Sequence, residues 1–246
     1  SRAYLTDPDS LPDGKLPPPP WTQPAEKVLP QLGETAAQWK NIVSTESTMP
    51  PLYYALAGGW WRAGDGLGME GGNRLYWLRF LNIPLVMGIV WLGWLAARRV
   101  FPENFFARMA VPAIVAFMPQ TAFYSINNDI LAPLMFGAAF LALLKFWEAE
   151  IPSVRLAAGL GLALAATFLT KISTLPLLAV AGVFIAGKIF QIARQKKLRP
   201  SLPALVTMSL CALLPMLAWM FWCKAHYGDF TGSAVKIEKL GWTAQP

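Results

Sequence analysis

The chain has 246 residues, of which 55% are hydrophobic and 14% charged, and it carries a formal charge of +7. Long apolar runs with the charges clustered between them exclude an ordinary soluble domain. The basic balance does not indicate nucleic-acid binding, because no basic soluble domain carries it.

The composition predicts an all-α, polytopic transmembrane bundle with three regions. Residues 1–76 form an external loop region with short interfacial helices, 77–223 the bundle, and 224–246 an external tail or the start of a further loop. In the head, Asp7, Asp9, Asp13 and the proline run at 17–20 read as an irregular or polyproline segment. Residues 35–44 suit a short helix. Glu46 then precedes Met49, Pro50, Pro51, Leu52, Tyr53 and Tyr54. Pro51 fits a first helical turn, and Leu52, Tyr53, Leu56 and Trp60 recur at helical spacing. With Tyr54, Trp61, Tyr76 and Trp77 nearby, this reads as an interfacial helix whose aromatics serve as anchors. Residues 64–72 read as a flexible connection.

Six apolar segments follow, at 77–97, 109–126, 130–146, 156–170, 172–189 and 201–223. The first carries no charge except Arg79. Asn127, Asn128 and Asp129 separate the second from the third, and Lys171 alone separates the fourth from the fifth. The fourth is short for a full crossing and suits a hairpin with the fifth.

Orientation follows from the basic residues. Arg98, Arg99 and Arg108 flank the first loop, and Lys145 and Arg155 the third. Lys188, Arg194, Lys196, Lys197 and Arg199 fill the fifth, whereas the intervening loops carry only Lys171. Odd loops are therefore expected in the cytoplasm, with head and tail on the periplasmic or extracellular side. A polar head reaches that side only behind a signal peptide or an earlier helix. Neither precedes Ser1, so a fragment lacking at least one upstream helix is expected.

Three other features are structural. Cys211 and Cys223 sit about 18 Å apart along one helix, too far to bridge. Residues 182–188 imitate a phosphate loop, but Ile189 stands where Ser or Thr is required and the segment is apolar helix. Lys188 is better read as an inner-face anchor. Ala157, Gly161 and Ala165 repeat every four residues and form a small-residue packing face, within the protein or against a neighbour. No metal-ligand cluster is evident.

Two polar positions each admit two readings. Asp129 is either a helix cap or a carboxylate facing an outer cavity, where it binds a sugar hydroxyl, a cation or an acceptor amine. Lys171 is either a snorkelling lysine at a hairpin turn or a phosphate ligand at the membrane edge. Both fall on the side of the head, which favours one external site.

The order of several motifs resembles the GT-C membrane glycosyltransferases. It runs from Glu46 and Met49, Pro50, Pro51, Leu52, Tyr53, Tyr54 to Leu78, Arg79, Phe80, Leu81, Asn82. Met118, Pro119, Gln120 and the run Ser125 to Asp129 come next, followed by Phe168, Leu169, Thr170, Lys171. The segment from His226 through Tyr227, Gly228, Asp229, Phe230 and Thr231 to Gly232 is similar to one in bacterial members. The nearest branch uses polyprenyl-phosphate sugars and includes protein O-mannosyltransferases and aminoarabinose transferases. The resemblance covers about residues 46–232, the amino-terminal half of such an enzyme.

It implies a bacterial cytoplasmic-membrane enzyme that moves one sugar from a polyprenyl-phosphate donor to a glycan, lipid or protein acceptor. Its key acid is implied to lie upstream of Ser1, leaving Glu46 and Asp129 as acidic candidates. The resemblance matches Asp129, with Asn128, to the acceptor or sugar pocket and Lys171 to the donor phosphate. Pro50, Pro51, Tyr53 and Tyr54 are implied to shape the loop over the cavity, and His226 is placed with the substrate-binding residues. Relatives often carry His or Lys at the position of Met49, so Arg74 or Arg79 is the expected substitute. No cofactor is assigned, a divalent cation is left open, and sugar, acceptor and oligomeric state are not specified. The rival reading is a non-catalytic polytopic protein, a transporter half or a lipid-binding assembly subunit. Transport predicts mid-membrane charges on broken helices and repeated halves.

Overall fold

The computed structural model describes residues 48–117 and 125–240, together with Pro24, Glu26 and Pro30. The chain divides into two units, Ser1–Thr45 and Glu46–Pro246. In the first unit Glu26 and Pro30 have helical backbone. The proline run, the helix expected at 35–44 and Glu46 lie outside the described residues. Residues 46–76, grouped with the head on sequence grounds, belong to the second unit.

The second unit contains helices and no strand among the described residues. They are α1 (Leu52–Gly66), α2 (Gly71–Phe80), α3 (Asn82–Val100), α4 (Phe105–Phe117), α5 (Leu131–Glu148) and α6 (Val154–Thr170). A 3-10 turn at Ile172–Thr174 leads into α7 (Leu175–Arg194), α8 (Leu198–Tyr227) and α9 (Ser233–Leu240). Four stretches are long and apolar enough to cross a membrane: Gly72–Val100, Leu131–Glu148, Ile172–Arg194 and Leu198–Tyr227. Phe105–Phe117 and Val154–Thr170 are apolar but shorter. Large side chains such as Phe106 and Phe117 face outward at 80% and 88% exposure. Such uncovered apolar surface suits lipid, not water. The chain has the build of an integral membrane protein.

Several boundaries differ from expectation for identifiable reasons. The first segment is not one straight helix: α2 ends at Phe80, and α3 begins at Asn82 after a turn at Leu81. Pro84 explains the break. It has no N–H for the carbonyl of Phe80, and its ring crowds that carbonyl. The expected flexible connection at 64–72 is mostly helical, since α1 runs to Gly66 and α2 starts at Gly71. Helix α4 starts at Phe105, not 109, because Asn104 accepts the backbone N–H of Ala107 at 2.9 Å and caps it. Its expected continuation through 118–124 lies outside the described residues.

Packing places α3 between α4 and α5, α5 against α6, and α6 closely along α8, with α7 more loosely held by α5, α6 and α8. The α6–α8 contact uses the small-residue face. Ala157, Gly161 and Ala165 are buried, and a Cβ on Gly161 would meet the Met208 carbonyl, with Cys211 Cβ at 2.9 Å. Small residues here let two backbones touch, so van der Waals packing replaces a hydrophobic driving force that lipid cannot supply. The face is satisfied within the chain.

The bundle has two ends. At the Lys197 end, Arg99 pairs with Glu148 and Lys197 with Glu150, tying α3 and α8 to the end of α5. Lys188, read from the sequence as an inner-face anchor, is 4% exposed at this end. Its ammonium donates to the Trp147 carbonyl at 2.6 Å and to Gln191 Oε1 at 3.2 Å. The last carbonyls of α5 lack donors within the helix, which draws the lysine inward.

Candidate functional site

The opposite, Lys171 end is assembled from three loops. The first is Ser125 to Ile130, where the chain turns into α5. Asn127 donates to Ser125 Oγ at 3.0 Å and accepts the backbone N–H of Asp129 at 2.9 Å. This Asx turn leaves the Asp129 carboxylate free of the backbone. The helix-cap reading of Asp129 therefore fails: Ile130 is the residue flanking α5, and no side chain caps it.

The second loop is the break between α6 and α7. Lys171 is extended (φ −158°, ψ 125°) between Thr170 and the 3-10 turn. Exposed carbonyls near hydrocarbon need donors, and threonines supply them. Thr170 Oγ1 donates to Ala166 O at 2.7 Å, and Thr174 Oγ1 to Lys171 O at 2.7 Å. Thr174 thus ties the interrupted backbone on both sides of the break, through the Thr167 and Lys171 carbonyls.

The two loops meet. Asn128 Nδ2 donates to the Thr170 carbonyl at 3.0 Å, and one residue further along each loop the Lys171 ammonium pairs with the Asp129 carboxylate. The side chains of Lys171 and Asp129 are 31% and 43% exposed. Asn128 itself is 4% exposed. Asn128, expected among the substrate-binding residues, ties the two loops together through its amide nitrogen.

The third loop follows α8. Gly228 ends that helix in the left-handed conformation. Asp229 then accepts the backbone N–H groups of Gly232 and of Ala234, the latter at 2.8 Å. Burial opposes ionisation of Asp229, but the N–H groups of Ala234, Gly232 and Thr231, with the Thr231 hydroxyl, hold its carboxyl below the usual range. Gly232 packs on Thr48. Lys171, Ile172 and Ser173 join Thr48, Met49, Thr231, Gly232 and Ser233 around a cavity of about 220 Å³. Lys171 belongs to both the ion pair and this cavity. Met49 lies in its wall, where the resemblance anticipates a cation.

The remaining described candidates are not among the residues lining this cavity. Pro50 and Tyr53 are almost wholly buried, and burial pushes the Tyr53 hydroxyl pKa up, keeping it neutral. Tyr53 and Ala57 pack with Leu81, Leu85, Ile130 and Leu131. Pro51 and Tyr54 are half-buried, and Tyr54 lies edge-on to Tyr53 at 5.5 Å. Helix α1 therefore braces the start of α5 from inside the protein. Arg79 is exposed over the Tyr76 ring and is not among the residues lining the cavity. Arg74 pairs with Asp65 at 2.8 Å and donates to Met69 O. Neither arginine is among the residues that line the cavity with Met49. His226 stacks on Trp222 at 4.3 Å, with Nδ1 2.9 Å from the Trp222 carbonyl; it belongs to the last turn of α8, not to the cavity wall.

Sequence reasoning missed Thr231, Gly232 and Ser233 as cavity residues and Thr174 as the support for Lys171. The Gly-Asp and Thr-Gly pairs were visible turn signals, but nothing local ties them to Thr48. Among the described residues no group of three His, Cys, Asp or Glu is arranged to hold a metal. No known protein family, curated protein or solved structure matches the chain.

Proposed function

We propose that this is a membrane glycosyltransferase that takes one sugar from a polyprenyl-phosphate donor and passes it to an acceptor at the Lys171 end of the bundle. The observation that carries the reading is the Asp129–Lys171 pair beside a cavity at the ends of apolar helices. A lipid-linked donor keeps its tail in hydrocarbon, so its phosphate sits at this depth. Departure of the lipid phosphate needs a cation, and deprotonation of the acceptor needs a base.

In this reading the resting ion pair is exchangeable. Partly exposed pairs are worth at most about 1 kcal/mol, so a donor phosphate competes readily for Lys171. Its arrival frees the Asp129 carboxylate to bind a sugar hydroxyl or the acceptor. The concentration of Lys and Arg at the other end supports placing that end in the cytoplasm and the site outside.

The test is sugar transfer from a radiolabelled polyprenyl-phosphate donor by reconstituted protein. Asp129→Asn and Lys171→Ala are each expected to lower the rate by about 10²–10³-fold. Lys171→Arg keeps the charge and retains part of it. Wild-type rates in the first two variants remove the pair from any chemistry.

A further inference from the structure

At the Lys197 end a second recess opens between α3 and α5, with a volume of about 400 Å³. Arg98, Arg99 and Lys145 line it together with Leu95 and Leu141. Arg99 is held by Glu148 through two contacts, Nε to Oε1 at 3.0 Å and Nη2 to Oε2. Arg98 lies over the Trp94 ring at 4.5 Å. Arg98 and Lys145 have no carboxylate partner within ion-pair distance among the described residues. Two positive charges are thus left uncompensated over an apolar floor.

We propose that this recess binds the phosphodiester head group of an anionic phospholipid. Three properties select that ligand. The cations stand at the end of two apolar helices, where lipid head groups lie. Leu95 and Leu141 continue the recess toward the hydrocarbon, which a soluble anion would not need. Exposed Trp91, tilted against Trp94 at 5.0 Å on α3, offers apolar surface for acyl chains. The Arg99–Glu148 pair fixes one wall and leaves Arg98 and Lys145 to take the phosphate oxygens. The site is separate from the Asp129–Lys171 pair and does not depend on the transferase reading.

The test is lipid retention by the full chain in detergent, measured by native mass spectrometry with equal phosphatidylglycerol and phosphatidylcholine. Wild type is expected to retain phosphatidylglycerol preferentially. R98Q/K145Q should weaken that retention by about 25-fold, roughly fivefold for each charge. R98K/K145R should keep it. K196Q/R199Q, which removes two charges from the same end outside the recess, should leave it unchanged. If R98Q/K145Q does not fold by circular dichroism, the exposed single variant K145Q carries the test with a fivefold loss. Wild-type retention in the neutral variants overturns the site. So does an equal loss in K196Q/R199Q, which means diffuse surface attraction. Displacement of the lipid by inorganic phosphate at the same occupancy reassigns the recess to a free anion.

Discussion

Asn128 and Thr170, joined at 3.0 Å from side-chain amide to carbonyl, each precede one member of the Asp129–Lys171 ion pair. A buried bond therefore sets the register in which a weaker, exposed pair forms. Asn128 is 4% exposed, so its amide is screened from water and its bond holds the geometry at the pair.

Removing that amide tests the arrangement. Asn128→Ala leaves the Thr170 carbonyl without its donor and should lower stability by about 1–3 kcal/mol. Thermal unfolding in detergent reads the loss. Asp129→Ala, which breaks only a partly exposed pair, should change it by about 1 kcal/mol or less. The reverse ranking would mean that the ion pair, not the amide, joins the loops.

Gly232 has φ +69°, and a Cβ there would lie 3.2 Å from Thr48 Cβ and 3.3 Å from its carbonyl. Gly228 has φ +80° with open space around it. Gly228→Ala should meet backbone strain alone, about 1 kcal/mol. Gly232→Ala meets strain and a crowded wall, and should release the 228–234 loop to limited proteolysis. Equal protease sensitivity in the two variants would contradict the close approach to Thr48.

The same loop responds to acid. The folded Asp229 carboxyl titrates below its ordinary value because backbone donors outweigh its burial. Its contribution is complete above the ordinary carboxylate range, about pH 4, and disappears as pH falls through the lower folded value. Exchange of the Gly232 and Ala234 amides should therefore accelerate, beyond the intrinsic pH trend, only below about pH 4. Asp229→Asn should remove that transition; if it persists in the variant, another group is responsible.

Helix α6 contains its own control. Gly161 is closed by the Met208 carbonyl, by Cys211 Cβ at 2.9 Å and by Ala212 N at 3.2 Å, whereas Gly159 has nothing within 4 Å. Gly161→Ala must push two backbones apart and should destabilise by about 1–3 kcal/mol. Gly159→Ala gains helix propensity and should be neutral or stabilising by up to about 1 kcal/mol. Unfolding midpoints for the two variants settle which face is the seam.

From the linear chain alone, the apolar segments, the single-residue break at Lys171, the small-residue face of α6 and the segregation of basic residues were all legible. Each is a local or periodic property: hydrocarbon demands apolar length, and close helices demand missing side chains. Trp60 and Trp77 show where such reading stops. Their composition suggested anchors, yet each indole donates to the other's backbone carbonyl, at 2.8 and 2.7 Å, with the rings stacked at 4.7 Å. That clasp closes α1 on α2. Likewise, only tertiary structure could bring Asp129 to Lys171, spend Asn128 on Thr170 and set Thr48 against Gly232. These contacts join residues 17 to 184 positions apart. Directional bonds of that kind depend on how helices stack, which no periodicity in one segment encodes.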